Sequence, residues 1–373
     1  MAEQPKNFGF GEDEVMLRDS ARKFLSDHCS SDTLHRMVAS DFNLDRPNEC
    51  VWDQALWQQI VDLGWTAVCV PEAAGGIGMP AVAAIALAEE VGRTAFPSPL
   101  IATLSATFVL NACDSPAATA ALSEIAGGKA TALALTNIDG EWDSAATGVR
   151  VNADGRLDGL AAFVQDARKC AQFIVSAQSD AGVGLYLVSA AAEGLTLTPD
   201  SIIDLTRDQA RLTFEQVDAI ELAAPGTGHA AIDAALPGLL CLVAADMVGA
   251  GEWLLQTTVE YAKTRVQFDR PLGFFQAVKH PLVNVMLQID NAKSLTYNAA
   301  CAIDHDPAEA LRLARMAKSE ASDMAVFSSS RAVQFHGGIG FTWECYVHLF
   351  FKRQMHNQVL YGDAKYQRAL LAD

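Results

Sequence analysis

The sequence predicts a mainly α-helical protein with a β domain inserted between two helical parts. Apolar residues recur at helical spacing before about residue 125 and again after Pro225. Between about 130 and 222 the chain consists of short β-rich runs separated by turn residues. The 373 residues are 50% apolar, which is enough for a large packed core in two or three domains.

The first part of the chain, 1–127, is predicted to be a helical domain. Over 12–24, apolar residues lie among charged ones at near-helical spacing, and over 81–91 an Ala/Ile/Leu run ends on two glutamates. The Gly-rich stretch 75–78 lacks the lysine and the spacing of a phosphate-binding loop, which favours a turn between helices.

The middle part, 128–224, is predicted to form a small antiparallel β domain. Asp154-Gly155 is a typical hairpin turn pair. The β-rich runs that follow are 171–177, 184–189, 195–198 and 210–217.

The last part, 225–373, is predicted to be a helical bundle. Its candidate helices are about 230–264, 275–304, 307–332, 344–357 and 364–371. The three long helices carry more apolar surface than one small bundle can bury, so we expect this part to mediate oligomerisation.

The charge balance argues against one class of function. With 27 Lys+Arg against 45 Asp+Glu, the formal charge of −18 opposes binding to a phosphate backbone. The first residues lack the basic-then-apolar order of a signal peptide, and Gly, Pro, Asp or Glu interrupts the Ala-rich stretches before membrane-spanning length. We therefore expect a soluble, cytoplasmic chain without nucleic-acid or membrane partners.

The cysteines and histidines do not suggest a metal site. Eight cysteines are scattered singly, without a Cys-x-x-Cys pair, as expected of reduced core residues. His348 and His356 lie eight positions apart and could share a helix face, but that spacing alone does not favour metal ligands. We expect no bound metal.

One segment near the end of a predicted helix carries residue types suited to a diphosphate ligand. Arg265 could bind phosphate oxygens, Gln267 could donate a hydrogen bond, and Phe268 could pack on a planar ring. The same cluster is also typical of a basic helix C-terminus that the helix dipole favours, and the residues alone do not decide between the two.

A second segment has a helix that runs into a glycine loop. The amide of Gln334 could reach a nucleotide edge, and Gly337 and Gly338, which lack a Cβ, let backbone N–H groups approach a ligand closely. The alternative is a glycine stop before the next helix.

Taken together and in this order, the segments resemble the acyl-CoA dehydrogenase family over nearly the whole chain. The matching motifs are Leu63-Gly64-Trp65, Pro71-Glu72, Gly75-Gly76-Ile77-Gly78, Glu89-Glu90-Val91-Gly92-Arg93, Arg265 to Gly273 with Phe275 to His280, and Gln334 to Gly340. Each motif alone is unspecific, but the whole ordered set is specific.

The resemblance implies a flavin enzyme. The family desaturates acyl-CoA thioesters between the α and β carbons, with a carboxylate as base, FAD as hydride acceptor and an electron-transfer flavoprotein as the expected electron acceptor. In family tetramers the flavin lies across a subunit interface. The residues assigned to the ADP half of a neighbouring subunit's FAD are Arg265, Gln267, Phe268, Gln334, Gly337 and Gly338.

Three departures from the family pattern concern the base and the flavin ring. Gly362 stands where the usual glutamate of a Tyr-Glu-Gly-Thr segment is expected, and Leu239 stands at the alternative base position on the first long helix. The β-domain segments that contact the flavin ring are replaced by Leu135-Thr136-Asn137-Ile138 and Phe163-Val164-Gln165-Asp166.

These departures lead to the hypothesis of a non-catalytic subunit. The chain resembles a bacterial subgroup in which several members act on CoA thioesters of steroid side chains. By that resemblance it would pair with a homologous catalytic subunit in an α₂β₂ acyl-CoA dehydrogenase. A first alternative is a self-sufficient enzyme with Asp363 as base, for which Glu252 and Glu260 are weaker candidates. A second is a flavin-free acyl-CoA-binding or assembly protein on the same scaffold, and a third is an acyl-CoA oxidase.

Overall fold

A computed structural model describes residues 5–39 and 50–372, and its architecture confirms the predicted fold class. Helices precede and follow the main run of strands along the chain. The helices are α1 (Glu12–His28), α2 (Ser31–Ala39), α3 (Gln54–Asp62), α4 (Ala81–Thr94), α5 (Leu100–Asn111), α6 (Pro116–Ala126), α7 (Gly228–Thr264), α8 (Gln276–His305), α9 (Pro307–His336), α10 (Val347–Asn357) and α11 (Ala364–Ala372). The strands are β1 (Thr131–Ala134), β2 (Val149–Val151), β3 (Leu157–Gln165), β4 (Gln172–Ser179), β5 (Gly182–Ser189), β6 (Leu195–Pro199), β7 (Gln209–Val217), β8 (Ile220–Ala223), β9 (Val266–Gln267) and β10 (Arg270–Pro271).

The longest helix, α7, matches the candidate helix predicted over about 230–264, and it contains residues that were expected to interrupt its apolar stretch. It spans 37 residues and includes Pro237, Gly238 and Asp246. By length and composition α7 could cross a membrane, contrary to the expectation that no segment reaches spanning length. However, 83% of its most apolar 18-residue stretch is buried inside the protein, as in a core helix.

Two compact groups of residues make up the chain, and the first is helical apart from the β9–β10 hairpin. Its described parts are 5–39, 81–96 and 240–372. Helix α4 therefore belongs to the same compact group as the C-terminal helices. Glycines explain how α4 lies against α7, because a side chain at Gly92 would overlap the backbone of Asp246, and one at Gly249 would overlap the backbone of Glu89.

A network of ion pairs is buried in this first group. Glu89 accepts hydrogen bonds from Arg93 at 2.9 Å, from Lys293 at 2.7 Å and from the Tyr297 hydroxyl at 2.7 Å. The adjacent Glu90 accepts from Arg93 at 3.1 Å. Both glutamates are 1% exposed, and buried charges persist only when they are paired, so the network fixes α4 against α8.

The second group contains the described residues 50–80 and 97–239 and is built around an eight-stranded sheet. The strand order is β6-β7-β3-β2-β4-β5-β8, with β1 beside β4. Most neighbours are antiparallel, as predicted, but β4 runs parallel to both β1 and β2. Helices α5 and α6 and the start of α7 form an apolar core with the sheet that includes Val109, Ile174 and Leu185.

The predicted division into 1–127, 128–224 and 225–373 follows the order of element types along the chain. Its boundaries between domains stay a prediction, because the compact groups combine segments that are distant in sequence.

Candidate functional site

The segment after α7 forms a hairpin, where the sequence predicts only a helix end before a turn. Strands β9 and β10 are antiparallel, with Gln267 opposite Arg270. The two residues between them, Phe268 and Asp269, have φ angles of 54° and 61°, the pattern of a type I′ hairpin turn. A bulky residue rarely adopts such a conformation, so Phe268 is held there at a cost in strain.

This hairpin presents the predicted ligand-contacting side chains to solvent. Arg265 and Gln267 are exposed, and 86% of the Phe268 surface is accessible. Lys263 pairs with Glu260 at 2.6 Å, whereas within the described ranges Arg265 has no ion-pair partner. The charge of Arg265 is therefore available to an external anion.

The end of α9 carries the second predicted set. The helix continues to His336, beyond the predicted end near 332, so Gln334 lies exposed in its last turn. Gly337 has φ 64° and ψ −145°, a combination that is essentially restricted to glycine. A Cβ at Gly338 would meet no heavy atom of the described residues within 4 Å, so packing among them does not require a glycine there.

An aromatic pair joins the helix ends that carry the two sets. The rings of Tyr261 on α7 and His336 on α9 stack with centroids 4.3 Å apart at 22°. The Tyr261 hydroxyl donates to the His336 carbonyl at 3.5 Å, and the imidazole Nδ1 bonds to the Ala332 carbonyl at 2.8 Å. Burial lowers the pKa of His336, so this ring is neutral at pH 7. The structure thus places Arg265 and Gln334 at two joined helix ends.

Elsewhere in the same residue group, Gly362 occupies a tight turn before α11. Tyr361 and Gly362 have φ angles of 56° and 88°. A side chain at Gly362 would overlap the ring of Tyr366. The turn therefore requires glycine both for its backbone conformation and for space.

Asp363, the alternative base, acts as a helix cap. Its Oδ1 accepts a hydrogen bond from the backbone N–H of Tyr366 at 2.8 Å, in the first turn of α11. The side chain is exposed, and its bond to the helix explains an aspartate at this position without a catalytic role.

The two weaker base candidates are also paired. Glu252 accepts from Lys293 at 3.0 Å and also pairs with Arg93. Burial acts to raise the pKa of Glu252, but the two cations outweigh it, so that pKa lies below its ordinary value. Glu260 is paired with Lys263. A carboxylate held ionised by two cations is a weak proton acceptor.

The two β-domain segments that replace the family's flavin-ring contacts are neighbours in the sheet. Thr136 forms an antiparallel bridge with Ala162, whose N–H donates to the Thr136 carbonyl at 2.8 Å. The next residue, Phe163, lies at a register shift of β3 with φ 57° and is 37% exposed. A bulge of this kind redirects a side chain.

The polar side chains of these segments are bonded within the domain. The Gln165 amide donates to the Phe163 carbonyl and to Gln209 Oε1, both at 2.9 Å. The Asp166 carboxylate is 1% exposed and accepts from Lys169 at 2.7 Å. Neither side chain is oriented by its partners toward an external ligand.

Of the two histidines considered for metal binding, His348 packs against an aromatic ring. Across 5–39 and 50–372, no three His, Cys, Asp or Glu side chains cluster as a metal site requires. His348 on α10 packs edge-on against Trp343 at 4.9 Å, and burial lowers its pKa to about 4.

The family models for the acyl-CoA dehydrogenase N-terminal and C-terminal domains match residues 11–124 and 226–373. The chain therefore belongs to the acyl-CoA dehydrogenase family, whose members are FAD-dependent oxidoreductases.

Among its relatives, the chain is 33% identical to the acyl-CoA dehydrogenase IpdE2 of Mycobacterium tuberculosis, over 92% of this chain and 91% of that protein. A solved structure of a variant of the Tcur3481-Tcur3483 steroid ACAD is 30% identical, with a TM-score of 0.86 over 97% of both chains. Butyryl-CoA dehydrogenase from Megasphaera elsdenii, at 24% identity, has the same fold with a TM-score of 0.86 over 98% of both chains.

Proposed function

We propose that this chain is a subunit of a FAD-dependent acyl-CoA dehydrogenase, in which it completes the flavin site of a catalytic partner chain and supplies no base of its own. The main support for the proposal is a difference in exposure between two predicted sites. The side chains assigned to the ADP half of FAD, such as Arg265, are open to solvent, whereas Gly362 at the base position is covered by Tyr366.

The exposed set fits the ADP half of FAD by its chemistry. Arg265, which has no ion-pair partner among the described residues, supplies a cation for a diphosphate, and the Phe268 ring supplies an apolar face. Gln334 supplies an amide, and the open backbone at Gly338 can approach a phosphate as no residue with a Cβ could. Packing within the described part of the chain does not require a glycine at 338, which supports a role toward an external ligand.

The base positions do not fit a self-sufficient enzyme. Gly362 and Leu239 carry no carboxylate, and the nearby Asp363 caps α11. In the β domain, Gln165 and Asp166 are bonded to their own neighbours. When bound, FAD supplies the hydride acceptor of the reaction, and we propose that the proton acceptor comes from the partner chain.

The partner and substrate are proposed by similarity. The Tcur3481-Tcur3483 structure pairs two proteins in a steroid ACAD, and the present chain is 30% identical to a chain of it. We propose an α₂β₂ assembly that desaturates the CoA thioester of a steroid in the cytoplasm and passes electrons to an electron-transfer flavoprotein.

Co-expression with a homologous catalytic chain tests the proposal. We expect a yellow heterotetramer with about one FAD per unlike pair and dehydrogenation of a steroid CoA thioester. Arg265→Ala should lower the flavin content of the assembled complex. Lys263→Ala, two residues earlier and already paired with Glu260, is the matched control and should leave the flavin content unchanged.

Two outcomes would contradict the proposal. A fully flavinated, active homotetramer of this chain alone would make it self-sufficient. A native heterocomplex without flavin absorbance would support a flavin-free acyl-CoA-binding or assembly protein.

A further inference from the structure

A lysine lies fully buried beneath the turn that carries Gly362. Lys318 on α9 is 0% exposed, and its Nζ bonds to the Gly362 carbonyl at 2.8 Å, to the Gln358 carbonyl at 3.0 Å and to Ser322 Oγ at 2.8 Å. None of these three partners is charged. A buried ammonium without a carboxylate in contact is rare, because desolvation of the charge is costly.

The three partners also suit an uncharged amine. A neutral amine donates two N–H bonds and accepts one bond through its lone pair. The Gln358 and Gly362 carbonyls can only accept, whereas the Ser322 hydroxyl can donate as well as accept. Lys318 can therefore lose its proton when the Ser322 hydroxyl, which faces the Gln358 carbonyl at 3.4 Å, turns to donate to the amine, and all three partners then stay bonded.

The carbonyls that Lys318 binds lie at the two ends of one turn. Gln358 follows the end of α10, and Gly362 precedes the start of α11. The turn between them includes Tyr361, whose carbonyl accepts from the Gln367 amide at 2.5 Å. Opening this turn would bring Lys318 into water.

Among the described residues, we consider the charged side chains of α9 itself and of α11, which packs against α9. From the start of α11, Asp363 favours the ammonium form, but burial outweighs it and lowers the pKa of Lys318 to about 7. Arg368 on α11 is bonded to Asp323 of α9 at 2.6 Å, and Arg315 on α9 is bonded to Gln367 at 3.1 Å. The phenol of Tyr361 in the turn itself is buried, which raises its pKa to about 12, so it stays neutral.

We infer that Lys318 is a proton-linked positioning residue for the turn 358–362, which closes over the neutral amine and takes up a proton when it opens. Above about pH 7 the closed turn holds an uncharged Lys318, whereas a lysine exposed by opening stays protonated up to its ordinary pKa of 10.5. Opening then becomes about tenfold more frequent per pH unit of acidification between about pH 10 and 7, and it is independent of pH below that window.

Hydrogen exchange of peptides that cover 358–372, measured from pH 6 to 9.5 on the purified protein, tests this inference. After correction for intrinsic exchange rates, protection should rise about tenfold per pH unit above about pH 7. Lys318→Met should abolish the slope. Lys263→Met, at an exposed site paired with Glu260, should keep it.

The wild-type profile alone decides the matter if Lys318→Met does not fold. Protection that does not change with pH, or a slope that survives in Lys318→Met, would overturn the inference. Ser322→Ala removes the hydroxyl that can donate to the neutral amine, so it should move the onset of the slope to higher pH. The measurement needs neither flavin nor substrate, so its outcome is independent of the proposed function.

Discussion

The ring of Tyr366 lies in the space that a side chain at Gly362 would enter. Together with the φ of 88° at Gly362, this contact predicts that even a methyl group is poorly tolerated. Gly362→Ala should cost about 1–3 kcal/mol of unfolding free energy from the backbone strain alone, plus the displacement of the ring. Chemical denaturation measures the loss.

A double-mutant cycle separates the two costs of Gly362→Ala. Tyr366→Ala removes the ring but not the backbone strain, so the double variant should recover only part of the stability lost by Gly362→Ala. Full recovery would mean that the φ angle imposes no cost, and no recovery would mean that the ring does not restrict this position.

Because Glu252 is ion-paired, its contribution to the stability of the fold should decrease at acid pH. Because its folded-state pKa is lowered, Glu252 contributes stability above its unfolded pKa of about 4.5, and the contribution is lost as pH falls through the folded pKa. Glu252→Gln should cost about 1–3 kcal/mol at pH 7 and less at more acid pH.

The exposed Glu260→Gln is the matched control for this prediction. Glu260 lies on the same helix, α7, and its pair with Lys263 is exposed, so its replacement should change stability by less than about 0.5 kcal/mol. Denaturation curves at several pH values make the comparison. A Glu252→Gln deficit that does not shrink in acid would show that its charge is not the cause.

The sequence predicted the helices of the last part to within a few residues, because their apolar periodicity is long and regular. The β9–β10 hairpin was missed because Phe268-Asp269 lacks the glycine or asparagine that marks a type I′ turn. The parallel pairs of β4 were missed because pairing between strands distant in sequence leaves no local pattern.

The sequence analysis also did not predict the buried charged residues, although the spacing of one group of them indicates an ion pair. Glu89 and Glu90 end an apolar run, and Arg93 follows Glu90 by three positions, a spacing typical of paired side chains on one helix. Lys318 gave no comparable signal, because its partners are two backbone carbonyls and a hydroxyl. The six predicted flavin contacts came from family resemblance, and the structure adds that they are exposed.

Substitution of Gly338 should affect flavin binding without affecting the stability of the fold. Because a Cβ there would meet no atom of residues 5–39 and 50–372 within 4 Å, Gly338→Ala should change unfolding free energy by less than about 0.5 kcal/mol. If a phosphate of the partner's FAD approaches this backbone, the same substitution should lower the flavin content of the heterotetramer. Flavin absorbance and denaturation of the same preparation measure both effects, and unchanged flavin content would remove Gly338 from the site.

Two substitutions at Asp363 can show whether this residue is a helix cap or a catalytic base. Asparagine caps a helix about as well as aspartate but cannot accept a proton as a base, so Asp363→Asn should retain both stability and turnover in the purified assembly. Asp363→Ala removes the bond to the Tyr366 N–H and should cost about 1 kcal/mol of stability without abolishing turnover. Steady-state dehydrogenation assays and thermal denaturation provide the two readouts. If Asp363→Asn eliminated turnover while FAD stayed bound, the carboxylate would be the base and this chain would hold an active site of its own.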